Sequence, residues 1–142
     1  EEDVREIQYA RKLIESDIAA LAVQRATPED YEMIEEILVE MDHALEQGES
    51  IFELTWDFHR TLAESAGNGV LTTLLDVLYQ MIHELQVKYY EPYIDPKEEV
   101  ESHRDLLRQL KKATPDQGRQ LMRAHLDEVN RVMLEAMSRH RN

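Results

Sequence analysis

Leu54-Thr55-Trp56-Asp57-Phe58-His59-Arg60-Thr61-Leu62-Ala63-Glu64-Ser65-Ala66-Gly67-Asn68 is the stretch on which the reading of the fold turns. With Phe52 just ahead of it, Trp56, His59, Leu62, Ala63 and Ala66 recur every three or four residues and so share one face of a helix. A capping box at Ser50-Ile51-Phe52-Glu53, after Gly48, opens that helix. Gly67-Asn68-Gly69 stops it and caps the next one.

The same punctuation recurs outward from this stretch. Thr27-Pro28-Glu29-Asp30, Asp95-Pro96-Lys97-Glu98 and Thr114-Pro115-Asp116-Gln117 each offer a capping oxygen, a proline at the first helical position and an acid or amide at the third. These marks divide the chain into six helices over 2–25, 28–47, 50–66, 69–91, 96–113 and 115–140. The connections are too short for anything but antiparallel neighbours, so the expected fold is an all-α antiparallel bundle of six helices in one domain. Ala26-Thr27-Pro28 and Ala113-Thr114-Pro115 look alike, but their flanks diverge, and shared capping chemistry accounts for the likeness.

Composition agrees. Four prolines and four glycines in 142 residues leave helix formers in command. A chain of this length buries roughly 68–70% of its unfolded surface and builds its own core. With 16 Lys+Arg against 30 Asp+Glu the formal charge is −14, which repels phosphate backbones and anionic lipid. Direct nucleic-acid binding by these residues is therefore excluded from the reading. The absence of cysteine restricts any metal to His, carboxylate or hydroxyl ligands. The longest apolar run, Ile18 to Val23, falls far short of the ~20 residues a membrane-spanning helix needs. The chain opens Glu1-Glu2-Asp3 without an initiator Met, so an excised domain with a missing N-terminal neighbour is expected.

Function is sought where polar groups interrupt apolar faces. In the first helix Val4, Ile7, Arg11, Ile14, Ile18 and Leu21 make an inward seam with Arg11 in its middle and Glu15 one turn on. A buried guanidinium needs an anionic partner, so Arg11 either pairs with Glu15 or snorkels to the surface, unless some other anion meets it. In the third helix His59 lies on the apolar face with Thr55 one turn earlier. In the fifth, His103 lies among Val100, Leu106, Leu107 and Leu110, and in the sixth His125 runs with Leu121, Val129 and Val132. One such histidine is ordinarily a satisfied core residue. Three from three helices leave many polar nitrogens to satisfy, or form the ligand shell of a divalent metal with open positions. His43, His83 and His140 lie off the main stripes and are read as solvated.

Arg11-Lys12-Leu13-Ile14-Glu15, the stretch from Leu54 to Asn68, Ser102-His103-Arg104-Asp105-Leu106-Leu107 and Ala124-His125-Leu126 together resemble the FCD domain. This is the C-terminal ligand-binding domain of the FadR subfamily of GntR-type bacterial transcription regulators. The resemblance covers essentially the whole chain. It implies a helical bundle of six or seven helices that forms a homodimer and follows a winged helix-turn-helix domain. Residues 1–142 would then be the effector-binding and dimerisation part, reaching DNA only through that absent domain, in the bacterial cytoplasm and without a membrane partner.

In metal-containing members an Asp four residues before the first histidine joins three histidines around zinc, nickel or a similar ion. A small organic-acid effector completes the coordination. Carried over by position, the histidines are His59, His103 and His125, and an arginine at the place of Arg11 assists the anionic effector. The Asp does not carry over: its place is Thr55, a poor neutral ligand left as a contact to metal or effector, and Asp57 projects to nearly the opposite side of the helix. The fourth helix is also atypical, apolar or aromatic at Leu74, Leu75, Leu78, Tyr79, Ile82 and Tyr89 where members often carry basic residues.

The expected function is a non-enzymatic sensor binding a small carboxylate at a buried divalent metal, zinc first. Two rivals stand beside it. One is a metal-free domain holding a larger apolar ligand. The other is a zinc hydrolase on three histidines, for which Glu15 is the only inward acid suggested by spacing. A di-iron carboxylate bundle needs Glu-x-x-His on two helices, and only Glu40 to His43 fits.

Overall fold

Why these residues form a bundle is clearest at the helix ends. A computed structural model describes residues 2–141, which form α1 (Glu2–Arg25), α2 (Pro28–Glu46), α3 (Phe52–Ser65), α4 (Gly69–Tyr89), α5 (Pro96–Leu110) and α6 (Pro115–Arg141) in an antiparallel bundle. The described residues include no strand, and the seventh helical piece is a short 3-10 turn at Glu91–Tyr93.

Thr27 and Asp30 close a reciprocal capping box on α2. Thr114 and Gln117 do the same at the start of α6. Asn68 accepts from the amides of Val70 and Leu71, and Asp95 from that of Lys97. Gly67 takes φ +70°, a left-handed conformation that ends α3 without a Cβ penalty.

The expected box at Ser50 does not form. Helix α3 starts two residues later, with Ile51 as a cap lacking any side-chain bond. The Ser50 hydroxyl accepts from the Phe52 amide and donates to Glu91, while Glu53 is drawn away to Tyr79 and His83 on α4. Helix α5 ends at Leu110 rather than 113, and α4 at Tyr89 rather than 91.

Helix α1 is the hub: it packs against α3, α4 and α6, which explains its run of buried small residues Ala19, Ala20 and Ala22. Gly118 lets α6 approach it closely, since a Cβ there would lie 2.9 Å from Val23 Cγ2. Fully buried Ile18, Phe58, Leu62, Leu110, Met122 and Met133 tie the helices together. Each such side chain contributes about 1.5–3 kcal/mol by leaving water.

Two expected faces need correction. Helix α3 is buried beyond its predicted stripe, because Phe58 and Ser65 are also enclosed. The principal buried stripe of α6 is Met122, Leu126, Val129, Met133 and Ala136. Leu121, His125 and Val132 flank it and are only half-buried.

Candidate functional site

Polar side chains enter the interior of the bundle from α1, α3, α5 and α6. His59 is 3% and His103 1% exposed, so neither ring meets bulk water. One ligand nitrogen from each of His59, His103 and His125 lies within 4.8 Å of the others, a grouping that can hold a metal ion. The rings are mutually close, with centroids 5.4 Å apart for His59 and His103, 5.3 Å for His59 and His125, and 4.7 Å for His103 and His125. Phe58 meets His103 edge-on at 5.0 Å and walls the cluster with hydrocarbon.

The hydrogen bonds decide which nitrogens are free. His59 Nδ1–H donates to Glu15 Oε1 at 2.6 Å. His103 Nδ1–H donates to the Glu99 backbone carbonyl at 2.8 Å, its own helix's turn. In a neutral imidazole with Nδ1 protonated, Nε2 carries the lone pair. His103 Nε2 and His125 Nε2 are buried and have no hydrogen-bond partner. Buried polar atoms are ordinarily paired, so two unpartnered imidazole nitrogens beside a third ring leave lone pairs that a cation could use. Three imidazole donors suit zinc or a similar divalent ion, and the residues present therefore fit such a group.

Electrostatics keeps His103 and His125 in the ligating form. Burial and the nearby His59 push His103 down to about 3. Burial, with His103 and His59 beside it, lowers His125 as well. At neutral pH both are deprotonated and need shed no proton to bind a cation.

The charge next to this cluster is a buried pair. Arg11 Nε donates to Glu15 Oε2 at 2.5 Å, and the guanidinium lies 4.3 Å from the centre of the Trp56 ring. The Arg11–Glu15 pairing that spacing allowed is thus realised, and Glu15 also bridges from α1 to His59 on α3. Burial by itself would raise the carboxyl of Glu15, but His59 and Arg11 overcome it and hold the group at about 2. Among the described residues the hydrogen bonds of Arg11 end at Nε, so the Nη groups make no hydrogen bond there. Trp56 is anchored by Nε1–H donating to Gln86 at 3.0 Å.

Thr55 is buried, and its hydroxyl donates to the Phe52 carbonyl at 2.6 Å, so its proton serves the helix backbone. Asp57 is exposed on the other side of α3, as its offset from His59 requires. Of the three histidines expected in solvent, His43 and His140 are exposed, whereas His83 is half-buried and bonded to Glu53. Glu15 is not the only inward acid. Glu99 on α5 is largely enclosed, accepts from the Tyr90 hydroxyl through both oxygens, and has its carboxyl raised by burial. Sequence reasoning missed Glu99 because it attended to the apolar stripe alone; its position one turn before His103 was the available signal.

His125 also forms the inner wall of a groove of about 550 Å³ between α5 and α6. Glu98, Glu101 and Asp105 also line it, which favours cations over anions there.

A six-helix domain enclosing a buried polar centre of three imidazoles and an ion pair is the class that fold and site define. The chain belongs to the FCD domain family, which matches residues 6–128. It is 30% identical over 141 residues to the Uxu operon regulator of Haemophilus influenzae, covering 92% of this chain and 51% of that protein. It is 27% identical over 137 residues to the HTH-type transcriptional regulator LutR of Bacillus subtilis, covering 93% and 63%. Among solved structures, Streptococcus agalactiae GntR superimposes with a TM-score of 0.73 at 25% identity, over 89% of this chain and 57% of that one. E. coli McbR/YncC, at 24% identity, shares the fold with a TM-score of 0.79 over 100% of this chain and 67% of that one. The relatives are transcription regulators, and the chain spans between half and two thirds of the two curated ones. No helix among the described residues is long and apolar enough to cross a membrane.

Proposed function

We propose that this FCD domain is the effector-sensing part of a GntR-type transcription regulator, binding a small organic acid at a divalent metal, zinc or nickel, held by His59, His103 and His125. The observation that carries the reading is the pair of buried, unpartnered Nε2 atoms on His103 and His125 beside the third ring. When bound, the metal supplies a Lewis-acid anchor for a carboxylate oxygen. His59, His103 and His125 hold it through ring nitrogens, and Phe58 and Trp56 exclude water around them. Arg11 presents its Nη fork to the acid, the planar geometry that suits a carboxylate. Thr55 in place of a carboxylate raises the net positive charge of the site and weakens metal retention, while three imidazoles with an effector carboxylate remain a zinc shell.

Attachment to a DNA-reading domain outside these residues is supported by the share of each curated relative that the chain spans. Signalling then follows from linkage: the acid shifts the regulator only by its differential affinity for two arrangements, typically about 1–3 kcal/mol. The same domain self-associates in this reading. Val70, Leu74, Val77 and Met81 form an exposed stripe along α4, a helix with two acids and one lysine in a chain of net charge −14. A second copy can bury that apolar stripe while bringing few charges together. Catalysis is not part of the reading: Glu15 is committed to Arg11 and His59, and Glu99 accepts from the Tyr90 hydroxyl through both oxygens.

Titration calorimetry with lactate, citrate and related acids, on metal-loaded and on chelator-stripped protein, tests this. Binding that requires the metal is expected. Equal binding of a larger apolar ligand by stripped protein, with no acid bound in either state, would replace it by the metal-free reading.

A further inference from the structure

We propose that Glu15 is a positioning residue for the centre, fixing His59 as its Nδ1–H tautomer so that the Nε2 lone pair is the one offered to a cation, with Arg11 Nε holding the carboxylate in place. The inference rests on the metal reading above and adds the group that sets one ligand's orientation. A neutral imidazole has two tautomers, and which one is present depends on the bond made by the other nitrogen. His103 has that choice made by the Glu99 carbonyl of its own helix. His59 has no such backbone partner and takes its bond from another helix, through Glu15 Oε1 at 2.6 Å.

The carboxylate is the only side-chain type that serves this place. Glu15 receives two donors at once, Arg11 Nε on Oε2 and His59 Nδ1–H on Oε1. Glutamine offers one acceptor oxygen and one NH2, so satisfying Arg11 turns the amide N–H toward His59 and selects the opposite tautomer, with Nε2 protonated and unable to ligate. Carboxylates bonded to metal-bound histidines raise ligand basicity, and their loss typically costs about 10- to 100-fold in metal affinity. A merely structural ion pair would influence folding but neither the tautomer nor the affinity.

The test measures both. Nitrogen-15 NMR of the intact metal-free protein reads the tautomer of His59 directly, and zinc titration against a competing chelator reads affinity. The unaltered protein is expected to hold His59 as the Nδ1–H form. Glu15→Gln is expected to shift His59 to the Nε2–H form and weaken zinc by about 10- to 100-fold. The double variant Arg11→Met, Glu15→Leu removes both charges, so it is the companion if the single variant fails to fold, and the same loss of affinity is expected. An Nε2–H tautomer in the unaltered protein, or a folded variant binding zinc within twofold of it, would overturn this inference alone. No zinc uptake by the unaltered protein would overturn the metal reading and this one with it.

Discussion

Arg11 and Arg131 each hold a glutamate one helical turn further on, Glu15 and Glu135, in the same chemical pair at the same spacing. The first pair is 4% and 2% exposed, the second 54% and 51%. Exposed i,i+4 pairs contribute about 0.3–0.5 kcal/mol, because water competes for both ends and both side chains lose freedom. In the buried pair each charge depends on the other, and removing one strands its partner at a cost of about 3–5 kcal/mol. Burial, rather than pairing, separates a solvated ornament from a group that organises the interior.

The comparison can be broken most readily at its buried member. Glu15→Ala should lower the unfolding free energy in a denaturant titration by about 3–5 kcal/mol, because the Arg11 guanidinium then lies against Trp56 without an anion. Removing both charges as Arg11→Met with Glu15→Leu should recover most of that loss, since no orphan charge remains. A single variant as stable as the parent would mean that the buried pair behaves like the surface one.

The pH dependence separates the two regions next. His103 is held at about 3 in the folded protein against an ordinary 6.5, so between those values the unfolded chain binds a proton that the folded one refuses. Stability is therefore full above pH 6.5 and falls as pH drops toward 3, with a slope of up to about 1.4 kcal/mol per unit from this group. Glu15, held at about 2 against 4.5, adds loss in the same direction as pH falls from 4.5 through 2. Thermal melts of the metal-free protein from pH 7 to 4 check the sign, and His103→Phe should flatten the upper part of the curve.

Smaller effects are expected away from the centre. Gly118→Ala should cost about 1–3 kcal/mol, because the β-branched Val23 cannot easily yield the 2.9 Å approach. Smallest of all, Glu135→Ala should leave stability unchanged within the error of the same assay.

What could be read from the sequence divides along the same line between local and cross-helix interactions. Thr27 with Asp30 and Thr114 with Gln117 cap as expected because their partners lie three residues apart. Ser50 and Glu53 have the same spacing but do not pair, since Tyr79 and His83 from α4 compete for the carboxylate. His59 and His103 announce themselves by interrupting apolar faces. His125 was assigned to a main stripe it only flanks, because a 27-residue helix touching more than one neighbour has no single buried side. The bond from Glu15 to His59 was illegible: it depends on how α1 is rotated against α3, and no spacing within either helix encodes that rotation.

The most direct measurement is metal-edge X-ray absorption on tag-free protein loaded with one equivalent of zinc. Three imidazole nitrogens at about 2.0–2.1 Å, reduced in number by His103→Ala, are predicted. A zinc shell made of oxygen alone, unchanged by that substitution, would contradict the convergence of His59, His103 and His125 on one ion.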